Sequence, residues 1–377
     1  MSVTTATKRG QRQGRERHAA RFAALAGLLA AGLAVVPVAL AQDATPVAGA
    51  EGDAIVRAMD PAALPEGFQI PASATHITNY GVHEWYQNLT AGEAARAEEY
   101  GIEFNQVDAD LNLQASLAAV EEVAPQVDVI NFTPVNEEAS GPTIIRLAEE
   151  YGKPIICESS PTDGCTTLVS IDDYAAGFKV GVWAGEYARD NFGGTANALD
   201  IGLPALTTTV ARSTGFADGL QSVLPEARIV ASIDGQGLKD AAVRVASDAL
   251  TANPDVNIIF GINDDSALGG LQAFEAQGGD TSQLLVVGFG CEGMACKDAL
   301  MAGGPYKVSA AMFPEYQGRL IIDAGVAAFN DVELPAHIVA PSAPVTADNL
   351  AQYYTQEGDA YSANFEEIAT LSVEGEK

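Results

Sequence analysis

Residues 254–278 read PDVNIIFGINDDSALGGLQAFEAQG. The run VNIIFGI (256–262) is short and nearly all apolar, which is the pattern of a parallel strand covered on both faces. Asp264, Asp265 and Ser266 break it, and an apolar-periodic stretch follows as far as the Gln277-Gly278 turn, so a helix is expected there. The same unit recurs on both sides. Upstream lie ARIVASI (227–233) and DAAVRVASDALTANP (240–254), and downstream LLVVGFG (284–290), MACKDALMAG (294–303) and YKVSAAM (306–312). Further upstream the runs THITNY, IEFNQV, VDVINFT, KPIICES, TTLVSI and NALDIGL alternate with helical segments such as LQASLAAVEEVA (113–124). Strict alternation of strand and helix predicts an α/β fold with parallel sheets flanked by helices. Ten or more strands exceed what one doubly wound sheet usually holds, so two α/β lobes are expected.

In open α/β sheets ligands sit beyond the carboxyl ends of the strands. Those ends are polar here: His83 and Glu84, Thr133, Glu158 to Ser160, Asn263 to Asp265, and Glu292. Together they predict a pocket between the lobes. Singly, each could serve as a helix cap, as Asp264 or Asp265 would before the helix at 266. The neighbouring acids Asp172-Asp173 and Asp264-Asp265 diverge at a helix start rather than share a proton, and read as solvated caps.

The chain has 377 residues, 47% of them hydrophobic, with 50 acidic against 20 basic side chains and a formal charge of −30. A disordered chain would be poorer in large apolar residues. Binding to nucleic acid or to an anionic membrane surface is not expected, because it needs clustered Lys and Arg. Six of the basic residues (Lys8, Arg9, Arg12, Arg15, Arg17, Arg21) precede the apolar run FAALAGLLAAGLAVVPVAL and the Ala39-Leu40-Ala41 site. That order predicts a secretory signal at 1–41; retention as an uncleaved anchor is the alternative, against which Pro37 and the A-x-A site count. No Cys follows the run, so no lipid anchor is expected.

Cys157, Cys165, Cys291 and Cys296 all follow the leader. An even number in an oxidising compartment points to disulfides, with three pairings possible. The local pairing, Cys157 with Cys165 and Cys291 with Cys296, is expected because each pair falls within one loop. A zinc site of four thiolates is the alternative, although Cys157 and Cys165 stand wider apart than zinc ligands usually do. Gly288-Phe289-Gly290-Cys291-Glu292-Gly293 is literally G-x-G-x-x-G after a strand, the spacing of a dinucleotide loop, and offers a rival reading as a secreted NAD-dependent oxidoreductase. It occurs in a late unit, and the next strand, YKVSAAM, has no acid directly at its end for a ribose. No G-x-S-x-G or H-E-x-x-H spacing is present, so no enzyme and no cofactor is expected.

The segments ARSTGFADGL (211–220), 254–278 and LLVVGFG, with AGEAARAEEYG (91–101), VDVINFTPVNEEA (127–139) and YGKPIICESS (151–160), resemble the type 1 periplasmic binding proteins of the ribose-binding branch. The resemblance runs from about 72 to 345. It implies two Rossmann-like lobes joined by three crossing segments, closing on one small molecule. The implied division is a linker at 42–71, a first lobe at 72–172 plus 313–340, a second at 173–312 plus 341–348, and a C-terminal extension at 349–377 with one helix, ADNLAQYY, and a loose acidic end.

Carried over position by position, the resemblance assigns ligand contacts to Arg212 and Asn263. A guanidinium can fork two neighbouring hydroxyls, and an amide both donates and accepts. Where the family has an asparagine and two aromatics, this chain has His83, Trp85 and Tyr86 with Glu84 among them, and Thr133 stands for a polar contact. The family's Asp-Arg pair is Ser159-Ser160, its aspartate after VVGF is Gly290, and its late glutamine is Met312. Glu84, Glu158, Glu292 and Gln236 are the candidates to compensate. The implied function is an exported solute-binding protein, expected to be monomeric, that delivers a sugar or sugar-like ligand to an ABC importer; a chemosensory receptor is the alternative partner. An amino sugar, a polyol, a nucleoside or another small polar signal would suit the changed positions equally.

Overall fold

The computed structural model describes residues 49–358 and 360–371, so the leader expected at 1–41 lies outside the described residues. The first sheet holds β1 (Ser73–Thr78), β2 (Glu103–Asp108), β3 (Val129–Phe132), β4 (Ile155–Glu158), β5 (Thr167–Ser170) and a late strand, β11 (His337–Val339). Its order is β11-β5-β4-β3-β1-β2, and every pair is parallel. The second sheet holds β6 (Asn197–Gly202), β7 (Arg228–Asp234), β8 (Ile258–Gly261), β9 (Leu285–Gly290), β10 (Tyr306–Ala311) and β12 (Ala343–Thr346), in the order β12-β10-β9-β8-β6-β7. Only the β10–β12 pair is antiparallel in it. All ten strands expected from the apolar runs are present, and the late edge strands β11 and β12 complete the two sheets.

The burial of each strand explains its sequence. Central strands β3, β4, β8 and β9 are buried at every position, which favours apolar runs; the two polar residues among them, Asn131 and Glu158, are hydrogen-bonded. Edge strands β2 and β7 keep exposed positions, and there polar residues intrude. Helices cover both faces: α2 (Glu84–Tyr100), α3 (Leu113–Val123) and α4 (Glu137–Tyr151) in the first lobe, with α6 (Thr207–Val223), α7 (Lys239–Ala252), α8 (Asp264–Ala276) and α9 (Met294–Met301) in the second. The chain passes from β5 into α5 (Asp173–Asn191), which packs on α6, and from β10 into α10 (Pro314–Phe329), which packs on α2. It passes a third time between β11 and β12, giving the three crossings.

Two segments carry more structure than their sequence announces. Residues 42–71, read as a linker, contain α1 (Ala50–Arg57), which packs on α10. Among its described residues, Val56 in the helix and Met59 just after it are the buried anchors in the core, too few to register as a periodicity. At the other end, the expected helix is α11 (Leu350–Tyr353), followed by a hairpin of β13 (Tyr354–Glu357) and β14 (Ala360–Ala363) and by α12 (Phe365–Ala369). Leu350, Tyr353, Tyr354 and Ile368 are buried in the second lobe's core. The described part of the extension is therefore packed structure.

The cysteines of each local pair lie at disulfide distance, with Cα separations of 5.9 Å for Cys157–Cys165 and 5.2 Å for Cys291–Cys296. One pair is in each lobe, so the four thiols do not form the single zinc site considered as the alternative. No helix of the described residues is long and apolar enough to cross a membrane.

Candidate functional site

The carboxyl ends of both sheets face a cavity of about 410 Å³ between the lobes. Of the residues given ligand contacts in the sequence, His83, Trp85, Tyr86, Glu158, Ser159, Arg212, Gln236, Asn263, Glu292 and Met312 line it. Three do not. Glu84 turns to the neighbouring loop, where Oε1 accepts from the Met294 N–H. Ser160 lies outside the lining, its N–H donating to the Glu158 carbonyl. Thr133 is fully buried beneath the floor, where its hydroxyl donates to Glu158 Oε2 at 2.9 Å and lies 2.9 Å from His76 Nε2.

Arg212 is held on three sides. Nε donates to Asp173 Oδ1 at 2.7 Å, Nη1 donates to the Ile262 carbonyl at 3.1 Å, and the guanidinium lies 4.5 Å above the Phe289 ring. No protein group among the described residues takes Nη2. A planar fork fixed in this way presents its remaining donors to the cavity at little further entropic cost. Asp173 is therefore the arginine's partner in the wall, and Asp172 is the cap, accepting from the Ala175 N–H. Burial raises the Asp173 carboxyl, and Arg212 pulls it back.

Asn263, rather than either following aspartate, caps α8: Oδ1 accepts from the Ser266 N–H and Nδ2 donates to the Gly237 carbonyl. Asp264 turns inward. Its Oδ1 accepts from Ser309 Oγ at 2.8 Å and from Tyr306 Oη, and Oδ2 accepts from the Cys291 N–H. Burial pushes this carboxyl up, so the reading of Asp173 and Asp264 as solvated caps is corrected.

On the first lobe His83 caps α2, with Nδ1 accepting from the Trp85 N–H; that leaves Nε2 as the donor of a neutral ring. Burial lowers its pKa against the pull of Asp265 and Glu84. Trp85 closes one side of the cavity and packs into the core beneath it. Beside it Glu158 is 1% exposed, with Oε1 accepting from Gln317 Nε2 at 3.1 Å. Burial pushes its carboxyl up to about 7, with His76, Thr133 and Trp85 opposing the shift. Behind it a buried chain continues from Thr133 through His76 to Glu93, and Asn131 donates to Glu93 Oε1.

Sequence reasoning did not select Asn79, Tyr80, Asp173 or Gln317, all of which line the cavity. Asn79 and Tyr80 sit just past β1 and were within reach of the strand-end rule. Gln317 faces inward from the first turns of α10 after a chain crossing, and no local pattern marks it. Leu111 from the first lobe and Leu206 and Leu238 from the second form an exposed apolar rim.

The glycine loop does not offer a pyrophosphate site. A Cβ at Gly288 would lie 2.4 Å from Asp264 Oδ1, one at Gly290 1.8 Å from Glu292 Oε2, and one at Gly293 1.9 Å from Glu84 Oε2. Three carboxyl groups thus occupy the space that glycines open to phosphate in dinucleotide folds, and the NAD reading fails on space.

A family model for the periplasmic binding protein domain matches residues 75–331. The ribose import binding protein RbsB of Bacillus subtilis is 27% identical over 263 residues, 68% of this chain and 80% of that one. The ABC transporter periplasmic-binding protein YphF of Escherichia coli is 33% identical over 167 residues, 41% of this chain and 49% of that one. An ABC transporter periplasmic solute binding protein of Actinobacillus succinogenes with bound D-allose superposes with a TM-score of 0.68 at 23% identity, covering 74% of this chain and 99% of that one. A solute binding protein of Bacillus halodurans with bound myo-inositol gives 0.64 at 21% identity, covering 77% and 98%. With two lobes, three crossings and a cavity at the strand ends, the chain belongs to the periplasmic binding protein family.

Proposed function

We propose that this protein is the capture subunit of an ATP-driven importer, exported by the leader at 1–41 and acting as a monomer, and that its ligand is an uncharged sugar or polyol. The observation that carries the reading is the fixed guanidinium of Arg212, on the second lobe, lining the same cavity as Trp85 and Tyr86 of the first. The indole face suits the C–H side of a sugar ring, and the fork suits two vicinal hydroxyls. Charge argues for a neutral ligand. Arg212 is offset by Asp173, while Glu158 and Glu292 add carboxyls to the same cavity. An anionic sugar acid or phosphate would find Arg212 already paired and would lie beside carboxyls that burial already holds back from ionising, whereas ligand hydroxyls can pair with those carboxyls in either state. The names of similar proteins, covering ribose import and bound D-allose and myo-inositol, support the same class.

A thermal-shift screen against neutral pentoses, hexoses and inositols, their uronic acids and phosphates, nucleosides and NAD tests the reading. Ligand at about 100 times its dissociation constant adds roughly 2.7 kcal/mol. The expected outcome is a saturable upward shift confined to one or a few neutral compounds; a shift with anionic compounds alone contradicts it.

A further inference from the structure

The short loop after β9 is fixed more firmly than its position at a cleft edge requires. Cys291 and Cys296 close its base, and the Cys291 N–H is tied to Asp264 Oδ2 at 2.7 Å. The buried ammonium of Lys297 lies beneath it, donating to the carbonyls of Cys291 and Glu292, both at 3.1 Å. That ammonium rests 4.1 Å from the centre of the Tyr354 ring, so the C-terminal hairpin supports the loop from behind.

This scaffold presents one side chain. Glu292 is only 9% exposed, it lines the cavity, and its buried Oε2 has no hydrogen-bond partner among the described residues. Its carboxylate fills the space beside Gly290, whose φ of 114° and missing Cβ make room for it. A buried acceptor left unpaired is costly unless something arrives to pair it. The main chain of the same residue faces the other lobe: Asn88 Nδ2 of α2 donates to the Glu292 carbonyl at 2.7 Å, and Glu84 Oε1 receives the Met294 N–H at 3.3 Å.

We propose that the disulfide-closed loop Cys291–Cys296 is the second lobe's clamp, in which the Glu292 carboxyl turns from Gly290 to take a ligand hydroxyl while its own carbonyl receives Asn88 as the lobes close. One residue then registers both ligand and closure. The inference deepens the proposed sugar-binding reading and rests on it for the ligand.

The test has two arms. In ligand-free protein, spin labels at Glu122→Cys and Asp248→Cys, exposed positions on α3 and α7, report the inter-lobe distance by pulsed electron resonance. Asn88→Ala is expected to move the distribution to longer distances, and an unchanged distribution overturns the latch. In the second arm, D-allose, D-ribose and myo-inositol are titrated calorimetrically into wild type and Glu292→Gln. For each sugar that binds wild type, the variant is expected to lose at least tenfold in affinity with its melting temperature preserved; wild-type affinity overturns the ligand contact. If none of the three binds wild type, the sugar-binding reading fails for these compounds, and the first arm still decides the latch.

Discussion

Arg212 has two duties that one substitution would confuse. It offers donors to the cavity, and it neutralises the partly buried Asp173 through a 2.7 Å contact. Arg212→Ala should lower ligand affinity by tenfold to a hundredfold, since hydrogen bonds to a charged group contribute about 1.5–3 kcal/mol. It should also lower the melting temperature, because Asp173 is left partly buried and unpaired. Adding Asp173→Asn should restore much of the melting temperature without restoring affinity. Calorimetry and thermal unfolding on the two variants separate the roles, and affinity recovered in the double variant would show that Arg212 does not touch ligand.

Glu158 gives a second prediction, with a defined sign. Its folded pKa, about 7, lies above the ordinary glutamate value of 4.5 because the group is buried. Between those pH values the folded state holds a proton that the unfolded state has released, so stability falls as pH rises through this window. The fall approaches about 3 kcal/mol above pH 7. Glu158→Gln removes this dependence, so its stability relative to wild type should improve from pH 5 to pH 8. Urea unfolding at the two pH values checks it; parallel pH profiles would contradict the buried-acid account.

Between helices, glycine sets the geometry of each lobe. Gly177 and Gly181 of α5 face Gly215 and Gly219 of α6 so closely that a Cβ at Gly181 would lie 2.2 Å from the Phe216 carbonyl oxygen. The first lobe repeats the device with Gly92 of α2 and Gly318 of α10, whose Cβ positions fall 2.2 Å from the carbonyls of Glu315 and Leu89. Backbones in such contact cannot admit even a methyl group without sliding. Gly181→Ala should therefore cost about 1–3 kcal/mol, as overpacked cores do, and lower the melting temperature by roughly 2–10 °C. An unchanged melting curve would mean that the helix pair is free to relax. Because α6 carries Arg212, the shift should also weaken ligand binding.

For the molecule as a whole, the sheets were legible in the sequence because parallel strands buried on both faces leave unbroken apolar runs. VNIIFGI and LLVVGFG could be read as strands for that reason. Strands β11 and β12 were not, since three or four residues beside a chain crossing leave no period to detect. The hairpin after α11 escaped for a related reason: Tyr354 is an anchor only because Lys297 and Phe313 lie beneath it. In the cavity, residues at strand ends were accessible to reasoning. Asp173 and Gln317 were not, because their roles come from helices that start immediately after a crossing. The glycine loop misled in the opposite direction. Its spacing is that of a phosphate cradle, and only the three carboxylates packed on it reveal that no phosphate belongs there.

At the same scale the apolar rim of Leu111, Leu206 and Leu238 gives closure a driving force apart from the polar contacts, as burying exposed leucines is favourable by roughly 25 cal/mol per Å². Ligand bridging the lobes then needs only to tip an equilibrium between open and closed forms. The most direct test of the central claim is a calorimetric titration of the purified protein with matched neutral and anionic sugars, each aldose or inositol beside its uronic acid or phosphate. The account predicts one-to-one binding of at least one neutral compound and no measurable heat from its charged counterparts. Tighter binding of the anionic member of any pair would contradict it.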